Sequence, residues 1–141
     1  FFTGARLAEI AGLQAEDLRE DRILIRPNEL RPLKTLSSER SIPIHPRLKA
    51  LAEELRIKKG LLWPGQYQES NKRWGVNLSK PCRKIVGATP KGFRDRAATV
   101  LRSNNMNEAV VVALLGHTPN SISMSYGAAP WSELKRAVKL L

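Results

Sequence analysis

Apolar residues recur at helical spacing over much of this chain. Residues 6–11 form a short segment of this kind that Gly12 ends, and residues 92–102 carry a longer apolar stripe. A further predicted helix, residues 108–115, lies between Asn107, a typical N-cap, and Gly116, a typical C-terminal cap. Helices are also predicted at residues 46–56, at 71–86 with an interruption at Pro81, at 118–126, and from Pro130 to the end of the chain.

Two segments near the middle of the first half are predicted as strands. They are residues 22–26 and 41–44, and Pro43 in the second indicates an edge strand. The polar residues 34–40 between them are predicted as the tip of a hairpin, and residues 60–70 as a loop. The predicted fold class is therefore mainly α with a small antiparallel β-sheet (α+β).

Charge is the composition feature that changes this picture. The chain has 24 Lys and Arg against 13 Asp and Glu, which gives a net charge of +11. A domain this basic attracts polyanions. Its basic residues are spread along the chain, whereas a membrane-surface protein would gather them on one amphipathic helix. We therefore expect nucleic acid as the partner and no association with a membrane.

Cysteine content and apolar run length bear on the compartment. The single cysteine, Cys82, excludes an intramolecular disulfide and a metal site made of several thiolates. The longest apolar run, residues 109–115, is far shorter than the roughly 18 residues of a membrane span. We expect a cytoplasmic protein. Because no Met starts the chain and a predicted helix follows almost at once, we expect residues 1–141 to be one domain truncated at its N-terminus.

Four short segments occur in the order and spacing of one enzyme family. Together they resemble the catalytic domain of the tyrosine recombinases (phage integrases), and the resemblance covers nearly the whole chain. It implies the integrase core, a DNA breaking-rejoining enzyme fold, with an upstream DNA-clamping domain that is absent here. The segments are Thr3-Gly4-Ala5-Arg6-Leu7-Ala8-Glu9-Ile10, Lys34-Thr35 followed by Ile42-Pro43-Ile44, Lys91-Gly92-Phe93-Arg94, and Leu114-Leu115-Gly116-His117 followed by Tyr126.

The resemblance implies site-specific recombination or integration of bacterial or phage DNA through a 3′-phosphotyrosine intermediate. Two arginines suit this chemistry, since guanidinium groups bind the non-bridging phosphate oxygens and neutralise the charge of the transition state. A phenol forms a reversible covalent link, and a cation at a hairpin tip can give a proton to the leaving 5′-oxygen. The implied catalytic residues are the arginines Arg6 and Arg94, the nucleophile Tyr126, the proton donor Lys34, the phosphate-binding His117, and Lys91.

The resemblance also implies partners and cofactors. Double-stranded DNA is the implied substrate, and recombination implies a tetramer on paired DNA sites. We expect this chain alone to be a monomer or a weak dimer, in which the last helix makes any exchange between copies. No metal or ATP is implied, because the tyrosyl ester conserves the bond energy and the arginines neutralise the phosphate.

Three departures from the family pattern keep two alternatives open. Lys91 stands where most relatives carry His, Asp95 stands where many carry His, and Ser123 stands where Thr is common. The first alternative is a non-catalytic DNA-binding module, a degenerate integrase. The second is an enzyme similar to a type IB topoisomerase. Tyr67 is the rival candidate for the nucleophile, and Glu9 is expected to be a structural acid that supports the first helix.

Overall fold

The computed structural model describes residues 1–29, 31, 38–117 and 129–141. Two of the implied catalytic residues, Lys34 and Tyr126, and the predicted helix at residues 118–126 lie outside these residues. The elements in the described part of the chain are α1 (Leu7–Ala11), β1 (Arg22–Ile25), β2 (Arg40–Pro43), α2 (Lys49–Arg56), β3 (Tyr67–Gln68), β4 (Arg73–Trp74), α3 (Ser79–Val86), α4 (Pro90–Ser103), α5 (Glu108–Leu115) and α6 (Trp131–Lys139).

These elements confirm the predicted α+β class. The described residues form helices and two small antiparallel sheets of two strands each. In the first sheet β1 pairs with β2, and Ile23 lies opposite Ile42. The second half of the chain is mostly helical. Of the helices that the structure describes, none has both the length and the apolar character needed to cross a membrane.

The hydrophobic core lies between the first sheet and helices α4, α5 and α6. Helix α5 packs against α4, α6 and β2. Its residues Val111, Leu114 and Leu115 are fully buried, as are Ile25 and Ile42 of the sheet. Because α5 is surrounded by other elements, it is apolar on nearly every face rather than amphipathic. The core therefore fixes the C-terminal end of α5, where Gly116 and His117 follow.

Helix α6 packs on its own domain. Leu134, Ala137 and Val138 are buried against the core. At its start the indole Nε1 of Trp131 donates a hydrogen bond to Asp21 Oδ2 at 3.1 Å. The guanidinium of a neighbouring strand residue, Arg22, lies 4.2 Å from the centre of the Trp131 ring, as in a cation–π contact.

The predicted helix at residues 71–86 is wrong in its first half. Residues 67–68 and 73–74 form a second hairpin instead, in which the rings of Tyr67 and Trp74 lie 4.9 Å apart. The helix begins only at Ser79. Pro81 then lies in the first turn, where its missing N–H is not needed for helical hydrogen bonds, so it does not interrupt the helix. The predicted loop at residues 60–70 is also wrong near its end, because Tyr67–Gln68 form strand β3.

Candidate anion-binding site

Arg6 lies at the N-terminus of helix α1, where its side chain contacts three separate parts of the chain. Its Nη1 donates to Glu9 Oε1 at 2.8 Å and to Ser38 Oγ at 3.2 Å. Its Nη2 donates to the carbonyl oxygen of Gly116 at 2.9 Å. The side chain is 31% exposed. These bonds use three of the five N–H groups of the guanidinium, so the described contacts leave two donors for a ligand.

Glu9 is buried and ion-paired with two arginines. Its side chain is 5% exposed. Besides the bond from Arg6 Nη1, its carboxylate accepts from the backbone N–H of Arg6 at 2.7 Å and from Arg40 Nη1 and Nη2 at 3.2 and 2.9 Å. Burial alone would raise the pKa of Glu9, but the hydrogen bonds and charge of Arg40, followed by those of Arg6, lower it overall. Glu9 is therefore ionised at neutral pH.

Arg94 enters the site from the first turns of helix α4. The Thr89 hydroxyl caps this helix by accepting from the N–H of Gly92 at 3.1 Å. Arg94 Nη1 donates to the carbonyl oxygen of Gly4 at 2.7 Å. Its Nη2 is buried and has no hydrogen-bond partner among the residues that the structure describes. A buried donor without an acceptor is costly, and a bound anion would remove that cost.

The backbone at Gly4 brings that carbonyl to Arg94. Gly4 has a φ of +59°, a conformation that favours glycine. A Cβ at this position would lie 2.5 Å from Leu115 Cδ2. The Thr3-Gly4 turn therefore fits against the end of α5 only with glycine, and the carbonyl of Gly4 depends on that fit.

The site has more positive than negative charge. Burial, followed by the charges of Arg6 and Arg40, lowers the pKa of Arg94 well below its ordinary value, to about 10, although Glu9 acts in the opposite direction. Arg94 is still cationic at neutral pH. Three guanidinium groups thus surround one buried carboxylate, and the surplus charge favours an anionic ligand.

His117 follows the capped end of helix α5. Gly116 adopts the left-handed conformation with a φ of +67°, and the N–H of His117 donates to the carbonyl of Val112 at 3.1 Å. Burial, followed by the charges of Arg94 and Arg6, lowers the pKa of His117 below its ordinary value of 6.5. Its imidazole is therefore neutral at pH 7, and it can gain a proton when an anion binds nearby.

A pocket of about 270 Å³ opens beside the two implied phosphate-binding arginines. The side chain of Lys91 is 82% exposed, and its ammonium lies 2.6 Å from Asp95 Oδ2. This places Lys91 at the solvent side of the pocket, in an ion pair with Asp95. The lining residues are Arg6, Leu7, Thr89, Pro90, Lys91 and Arg94.

A larger pocket of about 360 Å³ lies between helices α2 and α6. Its lining mixes five basic with three acidic side chains. It therefore favours an anion less than the first pocket, whose charged lining residues are all basic. The charged residues of the larger pocket are Arg19, Lys49, Arg56, Lys135 and Lys139 with Glu20, Asp21 and Glu53.

The structure brings together Arg6, Lys91 and Arg94, which line one pocket although they are far apart in sequence. His117 lies close enough for the charges of both arginines to lower its pKa. The rival tyrosine, Tyr67, packs on Trp74 in the second hairpin and is not among the lining residues.

Sequence reasoning missed Arg40, which pairs with Glu9 in the site. Strand alternation contained the signal, since residues 40, 42 and 44 point to the same face and Ile42 and Ile44 are buried. A charged residue in register with two core isoleucines indicates a buried partner, which is Glu9.

Metal ligands and known relatives do not define this site further. In the described ranges, no group of three or more His, Cys, Asp and Glu side chains has the arrangement to hold a metal ion. Comparison with known proteins gives no match: no protein-family model, curated protein or solved structure is significantly similar to the chain.

Proposed function

We propose that this chain is the catalytic domain of a tyrosine recombinase with the integrase fold, which breaks and rejoins DNA in site-specific recombination or integration. The observation that carries the proposal is the pairing of Arg6 and Arg94 in one pocket with surplus positive charge. The buried Nη2 of Arg94, which has no partner in the described part of the chain, supports an anionic ligand there. The net charge of +11 supports a polyanion such as duplex DNA.

The chemistry assigns a role to each group around one phosphodiester. Arg6 and Arg94 bind its non-bridging oxygens and offset the charge that develops in the transition state. The hydroxyl oxygen of Tyr126 attacks phosphorus, its proton passes to water, and the bond from phosphorus to the 5′-oxygen breaks. Lys34 gives a proton to that leaving oxygen. Rejoining is the reverse, with the 5′-hydroxyl displacing the tyrosine, so neither step consumes ATP.

His117 is suited to bind the scissile phosphate. It lies at the end of α5, directly after the glycine whose carbonyl accepts from Arg6. A neutral imidazole donates one hydrogen bond, and a protonated one adds a positive charge beside the phosphate. In the proposed assembly, four copies act on two paired duplexes.

A second candidate function is supported by the ion pair between Lys91 and Asp95. The ammonium of Lys91, which lies at the pocket, is paired with the carboxylate of Asp95 at 2.6 Å. A site with this ion pair still binds DNA through Arg6 and Arg94, but its Lys91 is not a free cation. That arrangement fits a DNA-binding module that has lost strand cleavage.

A nicked suicide duplex, which traps the covalent adduct after cleavage, tests the two candidates. We expect a denaturation-resistant protein–DNA adduct with the unchanged protein and with Tyr67→Phe, and none with Tyr126→Phe, which removes only the hydroxyl. DNA binding without any adduct would favour the non-catalytic module. An adduct that persists in Tyr126→Phe and disappears in Tyr67→Phe would contradict the assignment of the nucleophile.

A further inference from the structure

Arg40 is a buried cation in the site to which the proposed chemistry gives no role. Its side chain is 7% exposed. Its Nε donates to the carbonyl of Leu114 at 2.8 Å, and its Nη1 donates to the carbonyl of Ser38 at 2.8 Å. Nη1 and Nη2 also donate to the two carboxylate oxygens of Glu9. The guanidinium is thus fixed by strand β2, helix α1 and the end of helix α5 at once.

Arg40 and Arg6 share the single carboxylate of Glu9. Two of the hydrogen bonds that this carboxylate accepts come from Arg40, and two come from Arg6. The three groups together carry one net positive charge. If Arg40 were absent, Glu9 would neutralise Arg6 alone, and the pair would offer no net charge to an anion.

The position that Arg40 occupies requires a glycine at residue 116. A Cβ at Gly116 would lie 2.5 Å from Arg40 Nη1. Arg40 and Arg6 also bind two carbonyls at this helix end, those of Leu114 and Gly116. A helix C-terminus carries partial negative charge, so it stabilises both guanidinium groups.

We propose that Arg40 is a positioning residue of the anion site, which balances the charge of Glu9 so that Arg6 is held in place and still carries a positive charge for a phosphodiester. The proposal rests on the proposed function, because it takes the phosphodiester of duplex DNA as the ligand. Arg40 itself does not contact the ligand. Its effect is exerted through Glu9.

Charge balance makes a prediction that a purely structural role does not make. Arg40→Met removes the charge and leaves Glu9 paired with Arg6 alone, so we expect duplex DNA to bind about tenfold more weakly, as when one charge-assisted contact is lost. Adding Glu9→Gln to this variant removes the carboxylate that neutralises Arg6, so Arg6 regains its net positive charge. We expect the double variant to bind within about threefold of the unchanged protein, although it has lost more native hydrogen bonds.

Arg40→Lys keeps the charge but loses most of the hydrogen bonds. It therefore separates the charge-balancing role of Arg40 from its structural role. We expect a lower melting temperature and DNA binding within about threefold of normal. Arg22→Met, which removes an arginine from the neighbouring strand, is the matched control and should bind normally. Affinities are measured by fluorescence anisotropy with a duplex oligonucleotide, at a temperature where circular dichroism shows each variant to be folded.

The outcomes separate this proposal from the proposed function. A folded Arg40→Lys that binds as weakly as Arg40→Met, or a double variant weaker than Arg40→Met, would overturn the role of Arg40. If Arg40→Met does not fold, the Arg40→Lys result alone decides. Arg94→Ala tests the function separately: normal binding by this variant contradicts the proposed function. Weak binding by Arg94→Ala together with normal binding by Arg40→Met contradicts only the positioning role.

Discussion

The guanidinium of Arg6 donates from Nη2 to the carbonyl oxygen of Gly116 at 2.9 Å, across 110 positions of sequence. This bond joins the beginning of helix α1 to the end of helix α5. Because His117 is the next residue, the same bond places the guanidinium of Arg6 near the backbone of His117. The end of helix α5 therefore holds Arg6 and His117 in the same region of the fold, although they are far apart in sequence.

Removing the charge of Arg94 should stabilise the fold. The pKa of Arg94 is lowered from its ordinary value to about 10, so the folded state binds this proton less tightly than the unfolded chain. At neutral pH the charged form therefore opposes folding, by on the order of 3 kcal/mol. Arg94→Gln also loses the bond to Gly4, worth about 1 kcal/mol. We expect a net gain of about 1–2 kcal/mol, measured by urea unfolding.

Sulfate provides the control for that stability measurement. In the unchanged protein a bound sulfate supplies an acceptor to Arg94, so the melting temperature should rise as sulfate is added at constant ionic strength. In Arg94→Gln this rise should be much smaller. An equal rise in both proteins would show that sulfate acts elsewhere.

DNA affinity should increase as the pH falls below about 6.5, because of His117. In the free protein, burial and the charges of Arg94 and Arg6 lower the pKa of His117. A bound phosphodiester favours the protonated imidazole and raises its pKa again, so binding takes up a proton in this pH range. By linkage the affinity can then rise by at most about tenfold per pH unit. Anisotropy titrations from about pH 7 to pH 5 measure it.

His117→Asn should abolish most of this pH dependence while the protein stays folded. The other described histidine, His45, stacks on Phe2 with ring centres 4.4 Å apart and remains in the variant as an internal control. The unfolding free energy should move the opposite way from the affinity. Because the pKa of His117 is lowered in the folded state, its contribution to stability decreases as the pH falls from about 6.5. A pH dependence of DNA affinity that is unchanged in His117→Asn would contradict this assignment.

Binding should depend on salt in proportion to the phosphates contacted. The logarithm of the binding constant should fall linearly with the logarithm of the salt concentration, by about 0.9 per phosphate neutralised. Arg6→Ala should reduce that slope by about one unit and leave base preference unchanged, because phosphate contacts position the protein without specifying sequence. Arg56→Ala, in the pocket between α2 and α6, is the control. Salt-independent binding would mean that the basic surface serves another partner.

Alanine at Gly4 should be strongly destabilising. Its φ of +59° and the close approach of Leu115 Cδ2 combine a backbone cost of about 1–2 kcal/mol with overpacking of about 1–3 kcal/mol. Gly87→Ala isolates the first cost, since Gly87 has a φ of +68° and open space around it. Gly65 has neither a positive φ nor a close neighbour, so Gly65→Ala should change stability by less than about 0.5 kcal/mol. Thermal unfolding of the three variants gives the comparison.

Local signals predicted the elements that have caps and clear periodicity. Helix α5 lies between Asn107 and Gly116 as expected, because each end is set by a residue type with a strong preference for that position. The hairpin of β3 and β4 was not predictable in this way. It is only two residues long in each strand and depends on the packing of Tyr67 against Trp74, which is a tertiary contact.

In the candidate site, too, local sequence signals identified some features, and others depend on tertiary contacts. Motif spacing identified Arg6 and Arg94, which line one pocket. The pairing of Glu9 with Arg40 joins residues 31 positions apart and depends on how α1 lies against β2, so no local pattern specifies it. The unpartnered Nη2 of Arg94 is likewise a property of the packed domain rather than of the segment that contains it.

The close contact between residue 116 and Arg40 restricts how this sequence can diverge. Any side chain at position 116 would meet the Arg40 guanidinium, and any loss of the Arg40 charge would leave Arg6 neutralised by Glu9. Glu9, Arg40 and Gly116 are therefore coupled: a side chain at position 116 is compatible only with a smaller residue at position 40, and an uncharged residue at position 40 restores the charge of Arg6 only with an uncharged residue at position 9. Among descendants of a common ancestor, these three positions should be inherited as a set, even where the surrounding surface has been replaced.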